Sequence, residues 1–150
     1  MIASNQSVLG YVVLKVVLMG AWGSGSFEND DAADWVYQFD DSGVAAVETT
    51  LRKVYELTDD DYLEAPEASE AVAAAEIVAA MRDSDLSQLS DDARKALAKH
   101  QATWDNSSVS DSARLAIERI LQQSELKELW EEGDDSKWVA AMARLQSRLR

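Results

Sequence analysis

The side chains that could do chemistry in this sequence are carboxylates. Asp30 and Asp34 lie four residues apart, a spacing that places both on one face of a helix, and residues 59–61 are three consecutive aspartates. Oxygen-rich groups of this kind suit Ca²⁺ or Mg²⁺. However, the segment after Thr58 lacks the glycine and final glutamate of an EF-hand loop, and the helix dipole alone favours acids at a helix start. We therefore predict no metal site and keep metal binding as an alternative.

Other catalytic chemistries have weak support. Glu64, Glu67 and Glu76 could supply a general acid–base pair, but a chain with 28 acids contains such pairs by chance. The SELK segment at 124–127 matches the S-x-x-K pattern of serine acylases without their partner motifs. Cysteine is absent and His100 is the only histidine, which disfavours a zinc site and a serine triad. We favour a protein that is not an enzyme, with no catalytic residues and no cofactor.

The glycines near the start of the sequence could form a phosphate-binding turn. Three of the six lie in GAWGSGSF, at residues 20–27, directly before an acidic helix start. Their spacing matches neither the P-loop nor the dinucleotide fingerprint, and the Walker lysine is missing. Because Glu28, Asp31 and two further acids follow at once, a phosphate would meet like charge. We predict no phosphate site.

The net charge of −14 is unevenly distributed. Residues 19–75 contain 14 acids and two bases, a net of −12, whereas residues 76–150 contain 14 acids and 11 bases, a net of −3; Lys15 supplies the remaining +1. Direct nucleic-acid binding is disfavoured because phosphates require a basic surface. An acidic front half attracts cations or basic proteins, although a solvated surface is the simplest interpretation of most acidic chains.

Helices must position these side chains. One proline, few glycines and a hydrophobic content of 47% predict an all-α domain of about six helices. Asn29 or Asp30 caps the first helix, a second follows Gly43, and the clearest runs from Pro66 to Arg82. The other helices are predicted to start near Ser90, Asp111, Ser124 and Ser136.

Apolar stripes on these helices predict the core. The stripe residues are Trp35 and Phe39; Val47, Leu51 and Val54; Leu115, Ile117, Ile120 and Leu121; and Trp138, Met142, Leu145 and Leu149. Glu76 interrupts the alanine-rich helix on its apolar face, so we expect a buried carboxylate that needs an arginine or backbone donors. The candidate partners are Arg94, Arg114, Arg119 and Arg144.

The first 18 residues differ from the rest. The run from Val8 to Leu18 is apolar and β-branched, but it is shorter than the about 20 residues that cross a membrane, and Lys15 interrupts it. It also lacks the basic start and cleavage site of a signal peptide. We predict no membrane segment and interpret residues 1–18 as either a short strand or a disordered extension before a single domain at 19–150.

Two stretches resemble a known family. GAWGSGSFENDDAADW at 20–35 and DYLEAPEASEAVAAAEIVAA at 61–80 are similar to the bacterial domain-of-unknown-function family numbered 4259, which opens on GAWG-x-G-x-F-x-ND-x-A-x-DW. The resemblance extends over about 19–150. It implies a compact, mostly helical, cytoplasmic protein and no known activity. Members typically begin at the methionine before GAWG, so it also implies a start at Met19 and leaves 1–18 as an upstream extension.

The signature positions divide into two groups. The resemblance and simple packing assign a structural role to Trp22, Gly23, Gly25, Phe27, Asn29, Trp35, Tyr62 and Pro66. The candidate interaction surface consists of Asp30, Asp34, Asp59, Asp60, Asp61, Glu64, Glu67 and Glu76.

The function that we predict is a non-enzymatic protein-binding module of the immunity or regulator type, whose acidic N-terminal half binds a basic protein. A small metal-dependent hydrolase that uses Asp30, Asp34, Glu64 and Glu67 is the first alternative, and a DNA mimic is the second.

Overall fold

Seven α-helices make up the part of the chain that the structure describes. A computed structural model describes residues 21, 23–104 and 106–150. The helices are α1 (Asp30–Ser42), α2 (Val44–Tyr55), α3 (Ala65–Asp83), α4 (Asp91–His100), α5 (Asn106–Gln122), α6 (Glu125–Glu131) and α7 (Ser136–Arg148), with a 3₁₀ turn at Gln101–Thr103. The all-α prediction is confirmed, with seven helices rather than about six. The predicted N-terminal strand or extension lies outside the described residues.

Helix α3 is the centre of the fold. Every residue from 71 to 80 is buried, and α3 contacts α1, α2, α5, α6 and α7. A helix that is apolar around its whole circumference is stable only when other elements surround it. Its alanines let the backbones of the neighbouring helices approach closely.

Side-chain caps begin several helices where the sequence predicts them. Asn29 Oδ1 accepts the Ala32 N–H at 2.8 Å at the start of α1. Ser90 and Ser124 cap α4 and α6 in the same way. For α7 the predicted cap is wrong by one position, because Ser136 is the first helical residue and Asp135 precedes it.

Helix α5 differs most from its prediction. It begins at Asn106, five residues before Asp111, because Val109 and Ser110 are buried against the body and tertiary contact outweighs the weak helix propensity of serine. The prediction that Leu115 lies in the core is also wrong: it is 50% exposed, whereas Ile117 is fully buried. Two residues along a helix rotate the side chain to the other face.

The aromatic core joins α1 to its neighbours. The rings of Trp35 and Phe39 stack with centroids 5.6 Å apart. The Trp35 indole N–H donates to Thr50 Oγ1 at 2.8 Å, so this buried polar group is satisfied. The predicted stripes of α2 and α7 are buried as expected.

The turn between α1 and α2 requires a glycine. Gly43 has φ +62° and ψ −134°, a backbone conformation that L side chains rarely adopt. A Cβ at this position would also lie 2.7 Å from Nδ1 of His100, whose Nε2 is 2.6 Å from the Asp40 carbonyl oxygen. His100 therefore packs α4 against the end of α1.

None of the helices in the described ranges is long and apolar enough to cross a membrane.

Candidate functional site

Five carboxylates from two neighbouring helices form what we call the α1–α3 acidic face. It consists of Asp30, Asp31, Asp34, Glu67 and Glu70. Burial and the charges of Asp30 and Asp34 raise the pKa of Asp31. Burial also raises the pKa of Glu70, where repulsion by Asp31 and Glu67 opposes the lowering effect of Lys53. Because the charge of Asp31 contributes to the raised pKa of Glu70, the N-terminal parts of α1 and α3 lie close to each other.

No ion pair among the described residues neutralises the charge of this face. Ion pairs join Lys99 to Asp40, Arg114 to Asp111, Lys127 to Glu131, and Arg148 to both Glu76 and Asp83. None of these pairs involves a carboxylate of the α1–α3 acidic face. Lys53 is the basic residue whose field reaches Glu70.

Glu64 belongs to a different group, around an exposed tyrosine. Tyr62 is 52% exposed, and its hydroxyl donates to Glu128 Oε2 at 3.2 Å. Burial and the carboxylates of Glu125, Glu128 and Glu64 raise the pKa of the Tyr62 phenol. Glu125 and Glu128 could not be predicted as neighbours of Tyr62, because they lie more than 60 residues further along the chain. Tyr62 is therefore at the surface rather than in the core.

The aspartates at 59–61 form an exposed turn, and the buried Arg119 side chain stabilises this turn by hydrogen bonds to its backbone. Asp61 Oδ2 accepts the Thr58 N–H at 2.9 Å, which closes the turn locally. The Arg119 guanidinium, which is 7% exposed, donates to the carbonyl oxygens of Asp61 at 2.7 Å and Thr58 at 3.3 Å. Asp59 and Asp60, in the same turn, are exposed to solvent.

Glu76 lies in the interior, apart from the other candidate surface residues. It is 3% exposed, and its Oε2 accepts the Ser26 hydroxyl at 2.8 Å. Its other oxygen pairs with Arg148, which also donates to Asp83 Oδ2 at 2.7 Å. The expected arginine partner is present, but it is none of the four candidates. A residue 72 positions away gives no local signal in the sequence.

The glycine-rich loop folds around an acid rather than a phosphate. Glu28 Oε1 accepts the Gly25 N–H at 3.0 Å. A Cβ at Gly23 or Gly25 would lie 2.2 or 2.3 Å from a carboxylate oxygen of Glu28, so both glycines make room for it. Phe27 is buried as predicted. Trp22 lies outside the described residues.

A small pocket lies beneath this loop. Its free volume is about 20 Å³, and the loop, α3, α6 and α7 line it. Trp130 and Trp138 form part of the wall, with stacked rings whose centroids are 6.4 Å apart. Ser24, Ser26, Asn29 and Ser69 add polar atoms.

The acids proposed for a metal-dependent hydrolase are divided between these regions. Asp30, Asp34 and Glu67 belong to the α1–α3 acidic face, and Glu64 lies beside Tyr62. Within residues 21, 23–104 and 106–150, no group of three or more His, Asp or Glu side chains has an arrangement that could hold a metal ion.

Comparison with known proteins identifies a family without assigning an activity. The family model described as "Domain of unknown function (DUF4259)" matches residues 20–141, so the chain belongs to this family. No curated protein and no solved structure matches the chain.

Proposed function

We propose that this DUF4259 member is a non-enzymatic binding protein whose α1–α3 acidic face docks a basic protein partner. The observation that carries the proposal is a set of five neighbouring carboxylates on two helices, none of which forms an ion pair in the described chain. Complementary charge across an interface accelerates association and selects against partners of the wrong sign.

The cost of this face to the folded protein supports the same proposal. A raised pKa in the folded state means that the charged form of Asp31 or Glu70 is disfavoured there. At neutral pH both groups therefore reduce stability. A basic partner would supply a countercharge that favours the charged forms of both carboxylates.

The proposal is tested by recovery of partners from an extract of the native cells at low and high salt. The test variant Asp31→Asn/Glu67→Gln/Glu70→Gln removes three charges from the face. The matched control Asp91→Asn/Asp92→Asn/Glu118→Gln removes three exposed charges elsewhere, including two in the first turn of α4. Wild type and control should retain the same basic protein at low salt and release it as salt screens the interaction.

The affinity and association rate of the recovered partner are then measured for wild type and for both variants. We expect the test variant to bind it about tenfold or more weakly at low salt, mainly through slower association, with a reduced salt dependence. An equal loss of affinity in both variants would refute the proposal. An affinity that does not change with salt concentration, or a recovered partner that is acidic, would refute it as well.

A further inference from the structure

An apolar groove lies between the end of α3 and α4, and we call it the α3–α4 groove. Two of its lining residues, Ala80 and Leu97, are 2% and 4% exposed, whereas Leu86 is 37% exposed. Met81 and Ala98 add further aliphatic surface, and the described lining contains neither an aromatic side chain nor an acid. The groove thus offers an aliphatic surface without negative charge in a protein whose net charge is −14.

Two polar side chains that line the groove are available to a ligand. The exposed guanidinium of Arg94, on α4, forms no ion pair with a described residue, although Asp91 and Asp92 lie in the preceding turn. The exposed hydroxyl of Ser84, at the end of α3, makes no hydrogen bond with a described residue. Both groups can donate hydrogen bonds to a ligand.

Ser84 occupies a position that favours glycine. It ends α3 with φ +60° and ψ +17°, in the left-handed region, and its N–H donates to the Ala80 carbonyl oxygen at 2.9 Å. Glycine usually adopts this conformation after a helix, because a Cβ atom is disfavoured there. The turn alone would therefore favour glycine, and what serine adds is a hydroxyl at the groove.

The local charge favours an anion. From residue 93 to residue 103 the chain contains Arg94, Lys95 and Lys99 but no acid. Asp83, the last residue of α3, is already paired with Arg148. A carboxylate beside Arg94 would gain a charge-assisted hydrogen bond, whereas a cation would be repelled.

The size of the groove limits the ligand. Its free volume is about 130 Å³, and an apolar cavity of about 150 Å³ holds one molecule of the size of benzene. The groove therefore accommodates an aliphatic group of about four to six carbons. The chain of a long fatty acid does not fit within it.

We propose that the α3–α4 groove binds a small aliphatic carboxylate of about four to six carbons. The aliphatic tail packs against Met81, Leu86 and Leu97. The carboxylate accepts hydrogen bonds from the Arg94 guanidinium and from the Ser84 hydroxyl. The site is independent of the basic protein partner, since the described lining of the groove shares no residue with the α1–α3 acidic face.

The test is an NMR titration of the ¹⁵N-labelled full chain with 4-methylpentanoate. The matched probes are 4-methylpentanol, which has the same tail without the charge, acetate, which has the charge without the tail, and decanoate, which is too long. We expect saturable shifts at the amides of Ser84, Leu86 and Ala98 with 4-methylpentanoate. The alcohol should bind about tenfold more weakly, because it lacks the charge that Arg94 recognises. Acetate and decanoate should produce no saturable shifts at these amides.

Variants of the polar side chains assign the recognition of the carboxylate. Arg94→Met keeps the length of the side chain but removes its charge, and it should weaken 4-methylpentanoate about tenfold while leaving the alcohol unchanged. Lys95→Met removes the same charge from the neighbouring exposed position, outside the groove lining, and is the control. It should change binding by less than about twofold.

Two further variants separate binding from stability. Ser84→Gly should weaken 4-methylpentanoate about threefold or more, because a hydrogen bond to a charged group is lost, while the melting temperature stays the same or rises. Ala98→Met, at an exposed position on α4, places a larger side chain in the groove. It should weaken the carboxylate and the alcohol alike, by about tenfold or more.

Several results would overturn the proposal. Equal affinity for the carboxylate and the alcohol would show that Arg94 recognises no anion, and an equal loss in Arg94→Met and Lys95→Met would reduce the effect to net charge. Saturable shifts confined to residues outside the groove would place the ligand elsewhere. Tighter binding of acetyl-Gly-Gly-Leu, which carries an aliphatic side chain and a free carboxylate at a chain end, would assign the groove to a peptide instead.

Discussion

At the scale of single residues, the most consequential interaction is the pairing of Arg148 with the buried Glu76 and with Asp83 nearer the surface. Arg148 donates to both carboxylates and to the Asp85 carbonyl oxygen at 3.0 Å. Hydrogen bonds to Arg148 lower the pKa of Asp83, and the two acids raise that of Arg148. Since Ser26 also binds Glu76, one buried carboxylate connects the glycine-rich loop, α3 and the end of α7.

Arg148→Ala should lower the free energy of unfolding by about 3 kcal/mol at pH 7, because Glu76 is left buried without a countercharge. Arg148→Lys should recover only part of this loss, since an ammonium cannot bridge two carboxylates as a guanidinium does. Urea denaturation measures both. Arg144→Ala, at an exposed position on the same helix, is the control and should change little.

The pH dependence gives a second check on the same pair. The pKa of Asp83 lies below its ordinary value of 3.8 in the folded state. Its contribution to stability is therefore present above that value and is lost as the pH falls through the lower folded pKa. The difference in the free energy of unfolding between wild type and Arg148→Ala should become smaller below about pH 4. A difference that stays constant down to pH 2 would show that Asp83 is not part of the effect.

Gly43→Ala should destabilise the protein by about 2 kcal/mol or more, because it combines a positive φ with a contact to the His100 ring. Gly133→Ala is a suitable control, since Gly133 has no positive φ. Thermal unfolding followed by circular dichroism measures both. If His100→Ala in the Gly43→Ala background restores full stability, the contact rather than the backbone causes the loss.

At the scale of elements, the sequence predicted the helices whose start signals are local. Asn29, Ser90 and Ser124 are capping residues directly before apolar periodicity, and each caps a helix in the structure. The start of α5 could not be predicted in this way, since residues 106–108 include no apolar side chain and Val109 is buried by contacts with distant parts of the chain. The division of the acids into separate groups also depends on contacts between distant segments.

The α1–α3 contact provides a prediction at this scale. Glu70→Gln should raise the melting temperature by about 1–3 °C at pH 7, because it removes a charge that burial, Asp31 and Glu67 disfavour. The folded pKa of Glu70 is raised, so the penalty disappears as the pH falls below it and the carboxyl is protonated. The gain should therefore vanish near pH 4, as measured by calorimetry. A gain that persists at pH 3 would indicate that packing, not charge, is responsible.

At the scale of the whole molecule, the charge separation is present in both the sequence and the fold. The excess of −12 in residues 19–75 was evident from composition. Which acids lie together was not evident, because packing brings α1 and α3 side by side, whereas Glu64 lies near Tyr62 instead. Composition thus predicted the sign of the surface, and the fold determined its shape.

Self-repulsion of this charge predicts that salt stabilises the protein. Raising the salt concentration from 0.01 to 0.15 M shortens the screening length from about 30 Å to about 8 Å, which weakens repulsion across the surface more than the buried contacts of Arg148. The melting temperature should rise by about 2–5 °C. The Asp31→Asn/Glu67→Gln/Glu70→Gln variant should have a higher melting temperature at low salt and a smaller increase on adding salt. The melting temperature of Asp91→Asn/Asp92→Asn/Glu118→Gln should increase nearly as much as that of wild type. If both variants gain equally, the repulsion is spread over the surface rather than concentrated at the α1–α3 acidic face, and a basic partner would have no preferred place to dock.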